Sequence, residues 1–238
     1  MLNFTDYPNM TKAYIPENVL VTNNDFSNRY KNMQNLINGN TPPCVRNMYY
    51  TYLNCTNLTG SPVCGDNVTN MGSTYHSCTN LTGSPVCGPN VTDMNGTYLY
   101  CTNLHGNMYM YSSHVSNVAG CFGGRNIFNI LNIYVLKDSR SFNTIINGTS
   151  YSNSITDKPI TWTNNAGTCY YNTTENIYIY PVNSIDDIES LYVKDSLIDF
   201  EYTKDETTGI YQITSWKGTL NGVPSTEIVI PDSNKIMI

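Results

Sequence analysis

Apolar positions recur along the first half of the chain at a fixed step. Val45, Val68 and Val91 lie 23 residues apart, as do Met48, Met71 and Met94; Tyr52, Tyr75 and Tyr98; Cys55, Cys78 and Cys101; and Leu58, Leu81 and Leu104. Gly60, Gly83 and Gly106 keep the same step. The stretch Cys55–Asn67 returns as Cys78–Asn90 with one change, Asp66 to Pro89. Between the fixed positions the residues drift, with His76-Ser77 in one unit and Leu99-Tyr100 in the next. Constant apolar positions separated by drifting ones are what stacked repeats need, because each unit buries its ridge only against its neighbours.

Inside one unit, Val68, Met71, Tyr75 and Cys78 stand at i, i+3, i+7 and i+10. That spacing predicts one side of a short helix or 3₁₀ turn. Leu81–Cys87 reads as a short extended segment, limited by Pro85, which cannot donate to a ladder. Gly88-Pro89-Asn90 is turn chemistry. Upstream, Asp25–Ile37 predicts a helix, with Asn24 or Asp25 as N-cap and Gly39 past its end. It would cap the first coil or dock on another protein.

Stacking would bring equivalent cysteines to about one strand spacing, ~4.8 Å, which permits a disulfide. Cys55, Cys78 and Cys101 make a row of three, which cannot pair off, and the Cys64–Cys87 row ends at Met110. Packed, reduced thiols are therefore expected. The absence of a Cys-x-x-Cys pair leaves zinc without support.

The run Asn90-Val91-Thr92-Asp93-Met94, continuing through Tyr98, Cys101 and Leu104, resembles the BspA-type leucine-rich repeats, whose aromatic, Cys and Leu form a buried ridge. Thr97-Tyr98 and Thr82-Gly83-Ser84-Pro85-Val86 depart from the pattern, which is richer in Met-Phe and in Leu and Ile there. A weaker fourth unit carries Val115, Val118 and Phe122. The resemblance implies binding at a cell or virion surface rather than catalysis. The low-charge Asn/Tyr/Ile composition is similar to repeat proteins of gut phages.

The expected fold is mainly β: a short leucine-rich-repeat-like solenoid of 23-residue coils, an N-terminal helical cap and a C-terminal β region. The expected domains are a cap or docking segment over 1–43, the solenoid over 44–181 (strict over 45–110, decayed over 111–181) and the β region over 182–238. Asn132–Leu136 and Asn176–Tyr180 echo each other 44 residues apart, and Glu227–Ser233 is a similar phrase. Strands are predicted at 190–193, 197–202, 210–216 and 226–230, with a hairpin turn at Asp205–Gly209.

Composition narrows the function. Charged residues make up only 13% of the chain, and the 12 Lys and Arg form no run, which argues against a nucleic-acid surface. No stretch reaches the ~18 apolar residues of a spanning helix, so no membrane insertion is expected. Asp6 stands where a signal peptide would be basic, which predicts synthesis in a host cytoplasm.

Candidate chemistry is sparse. His76 and His105 occupy drifting positions, and His114 lacks a motif, as do Cys121 and Cys169 as nucleophiles. Asp186, Asp187 and Glu189 could serve a glycosidase or a cation, but they also suit the first turn of a helix after Ser184. Tyr49, Tyr50, Tyr100, Tyr109 and Tyr111 fall outside the ladder and are candidate contact residues, since tyrosine offers a large amphipathic ring.

The resulting expectation has no catalytic residue, cofactor or metal. It is a non-enzymatic phage virion protein of the tail, baseplate or fibre, acting in assembly or host attachment. Its partners would be other virion proteins and a host surface protein or glycan, with a homo-oligomer as one option. The alternatives are a bacterial surface adhesin and, behind it, a polysaccharide-cleaving tail-spike enzyme.

Overall fold

The computed structural model describes residues 4–147, 154–197, 199–217, 219–220, 223–224 and 236–237. The chain divides into two compact units, Met1–Asn183 and Ser184–Ile238.

The repeats of the first unit stack, but they are built from turns. In the second coil the amides of Thr51, Leu53 and Cys55 bond back three residues to the carbonyls of Met48, Tyr50 and Tyr52. The amides of Met48, Tyr50, Tyr52 and Asn54 instead cross to the carbonyls of Asn70, Gly72, Thr74 and His76 in the next coil. A left-handed residue recurs every fourth position: Asn28 and Asn32, Tyr50 and Asn54, Ser73 and Ser77, Gly96 and Tyr100, Gly120 and Gly124. Each such residue breaks the right-handed run before an α-helix can propagate. The i, i+3, i+7 spacing therefore marks a series of turns and not the helix face it suggests.

The same grammar corrects the N-terminal expectation. Asp25–Ile37 is not a helical cap. Phe26, Tyr30, Met33 and Leu36 fill the buried slots that Met48, Tyr52, Cys55 and Leu58 fill in the next unit. Parallel bridges join Asp25, Asn47, Asn70, Asp93 and Asn117 in one line, so five coils stack with steps of 22, 23, 23 and 24 residues.

The ladder is dry and continuous. The rings of Tyr30, Tyr52, Tyr75, Tyr98 and Phe122 follow one another at 5.1, 5.1, 5.7 and 5.5 Å, and Phe4 covers Tyr30 at 5.0 Å. Such pairs are worth about 0.5–1.5 kcal/mol beyond burial. The hydroxyls of Thr51, Thr74 and Thr97 donate to the carbonyls of Phe26, Met48 and Met71, so these polar side chains are buried without loss. The thiols of Cys55, Cys78 and Cys101 donate to the carbonyls of Tyr30, Tyr52 and Tyr75. All eight cysteines are free.

The fold class is also corrected. Neither the mainly-β leucine-rich-repeat-like solenoid nor the all-β C-terminus describes the molecule, which is mixed α/β. A small parallel pair joins β1 (Lys12–Ala13) to β2 (Asn38–Gly39). The main sheet has six strands in the order β3-β4-β5-β8-β7-β6. Of these, β3 (Val86–Cys87), β4 (Gly106–Met110), β5 (Leu131–Leu136) and β8 (Ile177–Val182) are parallel. The hairpin of β6 (Thr163–Asn165) and β7 (Cys169–Asn172) continues it antiparallel. Pro85 limits the strand part of its repeat to two residues, which is why the sheet widens only beyond the strict repeats.

Between β5 and β8 lies α1 (Arg140–Asn147), capped by the Ser139 hydroxyl, which accepts the Phe142 amide. Phe142 and Ile145 bury against the core. The phrase shared by Asn132–Leu136 and Asn176–Tyr180 pairs in space, yet two residues off its sequence register: Ile133 sits opposite Ile179. The even shift keeps the inward set inward.

In the second unit the predicted strand at 190–193 is instead within α2 (Ile185–Ser196). A capping box explains it: the Asp187 amide donates to the Ser184 hydroxyl, and the Ser184 amide to the Asp187 carboxylate. Then β9 (Phe200–Lys204) and β10 (Tyr211–Trp216) form a hairpin around Asp205–Gly209. They pack Leu197, Phe200 and Tyr211 into a separate core. Short β11 (Thr219–Leu220) pairs with β12 (Val223–Pro224), and β13 (Ile236–Met237) pairs with β10. The expected strand at 226–230 and the phrase at 227–233 lie outside the described residues.

Candidate binding surface

The turn grammar builds one face of the stack from the drifting positions. Ladder residues point inward, while the left-handed residue of each turn and the residue before it point out. Tyr49-Tyr50, Leu53, His76 and Leu99-Tyr100 meet there, with Lys31 at the first coil. Tyr49 is 38% exposed and Tyr100 46%; Tyr50, Leu53, His76 and Leu99 are half-buried.

The rings lie against bare backbone. A Cβ on Gly72 would meet the Tyr49 ring at 2.9 Å, and one on Gly124 would meet Tyr100 Cδ1 at 2.1 Å. Leu99 uses Gly123 in the same way, at 2.6 Å. Glycine in one coil thus seats a large side chain of the coil before it. The rings of Tyr49 and Tyr50 lie 3.9 Å apart, and those of His76 and Tyr100 5.7 Å apart. Lys31 Nζ stands 5.0 Å from the Tyr50 ring centroid, within cation–π range. Burial pushes the His76 imidazole below its ordinary value, favouring its uncharged form. The result is an aromatic, weakly charged surface on a backbone braced by inter-coil hydrogen bonds.

Three of the five singled-out tyrosines, Tyr49, Tyr50 and Tyr100, are gathered on this face. Tyr109 belongs elsewhere: it lies on β4 in a column with Tyr134 and Tyr180, with ring spacings of 5.4 and 5.0 Å. Tyr111 follows the same strand. Lys31, Leu53 and Leu99 were not legible as contact residues. Their fixed offset from the ladder tyrosines was the available signal.

The candidate catalytic groups do not assemble. Asp187 is spent on the cap of α2, whose first turn also holds Asp186, and Glu189 follows further along the same helix. His105 Nδ1 lies 2.8 Å from the Asn103 carbonyl, and His114 lies beside Ser113. Cys121 is fully buried and its thiol pushed far up by burial. Cys169, on β7, is raised by partial burial, and its thiol hydrogen-bonds Tyr180. Among the described residues no three His, Cys, Asp or Glu come together to hold a metal. Nor is any helix among them long and apolar enough to cross a membrane.

One buried charge stands out at the end of the cysteine row. Arg125 takes the next slot after Cys101 and is buried. Its Nη1 donates to the carbonyls of Asn126 and Asn129, while Nε and Nη2 have no partner among the described residues. Burial lowers its pKa to about 10, partly offset by the charge of nearby Glu175. Glu175 is bridged by Lys158 at 2.6 Å.

No family model, curated protein or solved structure matches the chain.

Proposed function

We propose that this is a non-enzymatic virion protein of a phage tail, baseplate or fibre, acting in assembly or host attachment. Made in the host cytoplasm, it would contact its partner through the turn face of the coil stack. The observation that carries this reading is the division of labour within each repeat. The buried columns hold a rigid backbone, and the drifting positions place Tyr49, Tyr50, Leu99 and Tyr100 outward on it. Half-exposed tyrosines seated on a fixed scaffold give contact area at little entropic cost. The scarcity of charge suits a protein or uncharged glycan surface rather than a polyanion.

The test is the double variant Tyr49→Ala/Tyr100→Ala, carried into phage. The expected result is a folded protein with an unchanged melting curve, and particles that lack the protein or lose at least tenfold in host adsorption. Particles of normal composition and normal adsorption would defeat the proposal.

A further inference from the structure

The fifth coil ends the ladder and then departs from it. The amides of Gly120 and Phe122 donate to the carbonyls of Ser154 and Ile155, so this end of the stack is closed within the chain. In the strict coils the amides of Leu58, Leu81 and Leu104 bond back to the carbonyls of Cys55, Cys78 and Cys101, and each leucine is buried. Phe128 stands three residues after Arg125, as Leu104 does after Cys101. Here, however, the bond comes one residue late, from the Asn129 amide to the Asn126 carbonyl. The Phe128 amide donates to Oδ1 of Asn126 instead. The ring is turned outward and is 86% exposed, with Ile127 at 46% and Ile130 at 51% in the same short run.

This turn is braced. Arg125 Nη1 donates to the carbonyls of both Asn126 and Asn129, and Asn129 Nδ2 donates to the Thr102 carbonyl of the coil before. Cysteine fills the same slot in three earlier coils without burying a charge. The fold therefore accepts a buried cation, which is costly, at the turn that presents Phe128. A departure from the local rule that costs stability marks a functional position.

We propose that Phe128, with Ile127 and Ile130, enters an apolar pocket of another virion protein, the one that lies on the turn face. The inference rests on the assembly reading above and selects protein over glycan as the partner. The two surfaces are continuous in the chain, since Gly124, which seats the Tyr100 ring, immediately precedes Arg125. A glycan is disfavoured because hydrocarbon side chains would strip water from sugar hydroxyls and return no hydrogen bond. A membrane is disfavoured because the exposed residues beside the turn, Asn103, His105 and Asn126, bring no lysine or arginine to lipid headgroups. Two copies meeting through three side chains each would fall far short of the ~1,200–2,000 Å² of a stable interface. A projecting aromatic anchor held in a pocket and flanked by the turn face matches the anatomy of a protein interface.

The probe is phage particles assembled without this protein, titrated with the purified full-length chain and sedimented. Phe128→Ser alters an exposed side chain, so its melting curve should match the wild type while its binding to the particles falls at least tenfold. A photoreactive benzoylphenylalanine at position 128 should crosslink to one other virion protein. Wild-type binding by Phe128→Ser would overturn the inference, as would crosslinks confined to a second copy, to another part of the same chain, to lipid or to sugar. Tyr49→Ala/Tyr100→Ala, run in parallel, separates the two readings: if it weakens binding and Phe128→Ser does not, the apolar anchor falls and the turn-face proposal stands. A wild-type chain that does not bind the particles defeats the assembly reading and this inference with it.

Discussion

Truncating Tyr75 tests the ladder at its centre. The side chain is 1% exposed, and its ring stacks on Tyr52 at 5.1 Å and on Tyr98 at 5.7 Å, both within 4° of parallel. Its hydroxyl donates to the Val63 carbonyl at 2.7 Å and accepts the Val63 amide at 3.0 Å. Tyr75→Phe removes only the hydroxyl. Val63 is 50% exposed, so water can replace the lost partner, and the expected cost is about 1 kcal/mol. Tyr75→Ala removes the ring as well and leaves a cavity between two coils that are held rigidly by inter-coil hydrogen bonds. Aromatic-to-alanine changes at such sites cost about 3–5 kcal/mol, a large share of the ~5–15 kcal/mol that domains possess. The assay is urea unfolding followed by near-ultraviolet circular dichroism, where stacked tyrosines dominate. The expected order is wild type, then Phe slightly below it, then Ala far below both. If Ala lowered stability no more than Phe, the column would not be the core of the stack.

Gly124→Ala should destabilise by about 1–3 kcal/mol, because it combines left-handed backbone with a Cβ placed on the Tyr100 ring; Gly120→Ala, equally left-handed but in open space, should cost only about 1 kcal/mol, and thermal melts of the two separate the terms. Burial raises the thiols of Cys55 and Cys101 to about 12 from an ordinary value of 9.0, so their neutral forms are bound to the fold. Their contribution is complete below pH 9.0 and is lost as pH rises towards 12, so urea midpoints should fall across that range and fall less steeply in Cys55→Ala. In thiol titrations at pH 8, half-buried Cys44 should react in the native protein, while Cys55, Cys78 and Cys101 react only on unfolding. Arg125→Met should be neutral or stabilise by about 1 kcal/mol, since two guanidinium nitrogens lack partners among the described residues and Glu175 keeps Lys158; a loss above about 3 kcal/mol in urea unfolding would show that the Arg125–Glu175 attraction outweighs desolvation.

The columns were legible because burial holds Tyr52, Tyr75 and Tyr98 in step while their neighbours drift. The first coil was not, because Phe26 and Met33 stand where later units have Met and Cys, and the same spacing also fits a helix. What separates the two is backbone handedness. Asn28 and Asn32 adopt φ of 61° and 64°, which asparagine tolerates without a distinctive pattern. Repeat counting also missed α1 and the β6–β7 hairpin, because long insertions between β5 and β8 hide a register that the strands still keep. In the second unit, Ser184 and Asp187 pointed to a helical first turn, yet the apolar residues at 190–193 suggested a strand; the capping box prevailed. The turn face was partly visible as unassigned tyrosines, but the glycines that seat them became meaningful only once the coils were in register.

The near-identity of Cys55–Asn67 and Cys78–Asn90 makes each coil an interchangeable part. Excising residues 55–77 would join Asn54 to Cys78 and leave four coils in unbroken alignment, with the first coil and the Ser154–Ile155 closure untouched. Coil number is then a free variable of this architecture, changing in whole units. Any contact surface running along the coils would lengthen or shorten in steps of about 4.8 Å, so reach could be adjusted without redesigning either terminus of the stack.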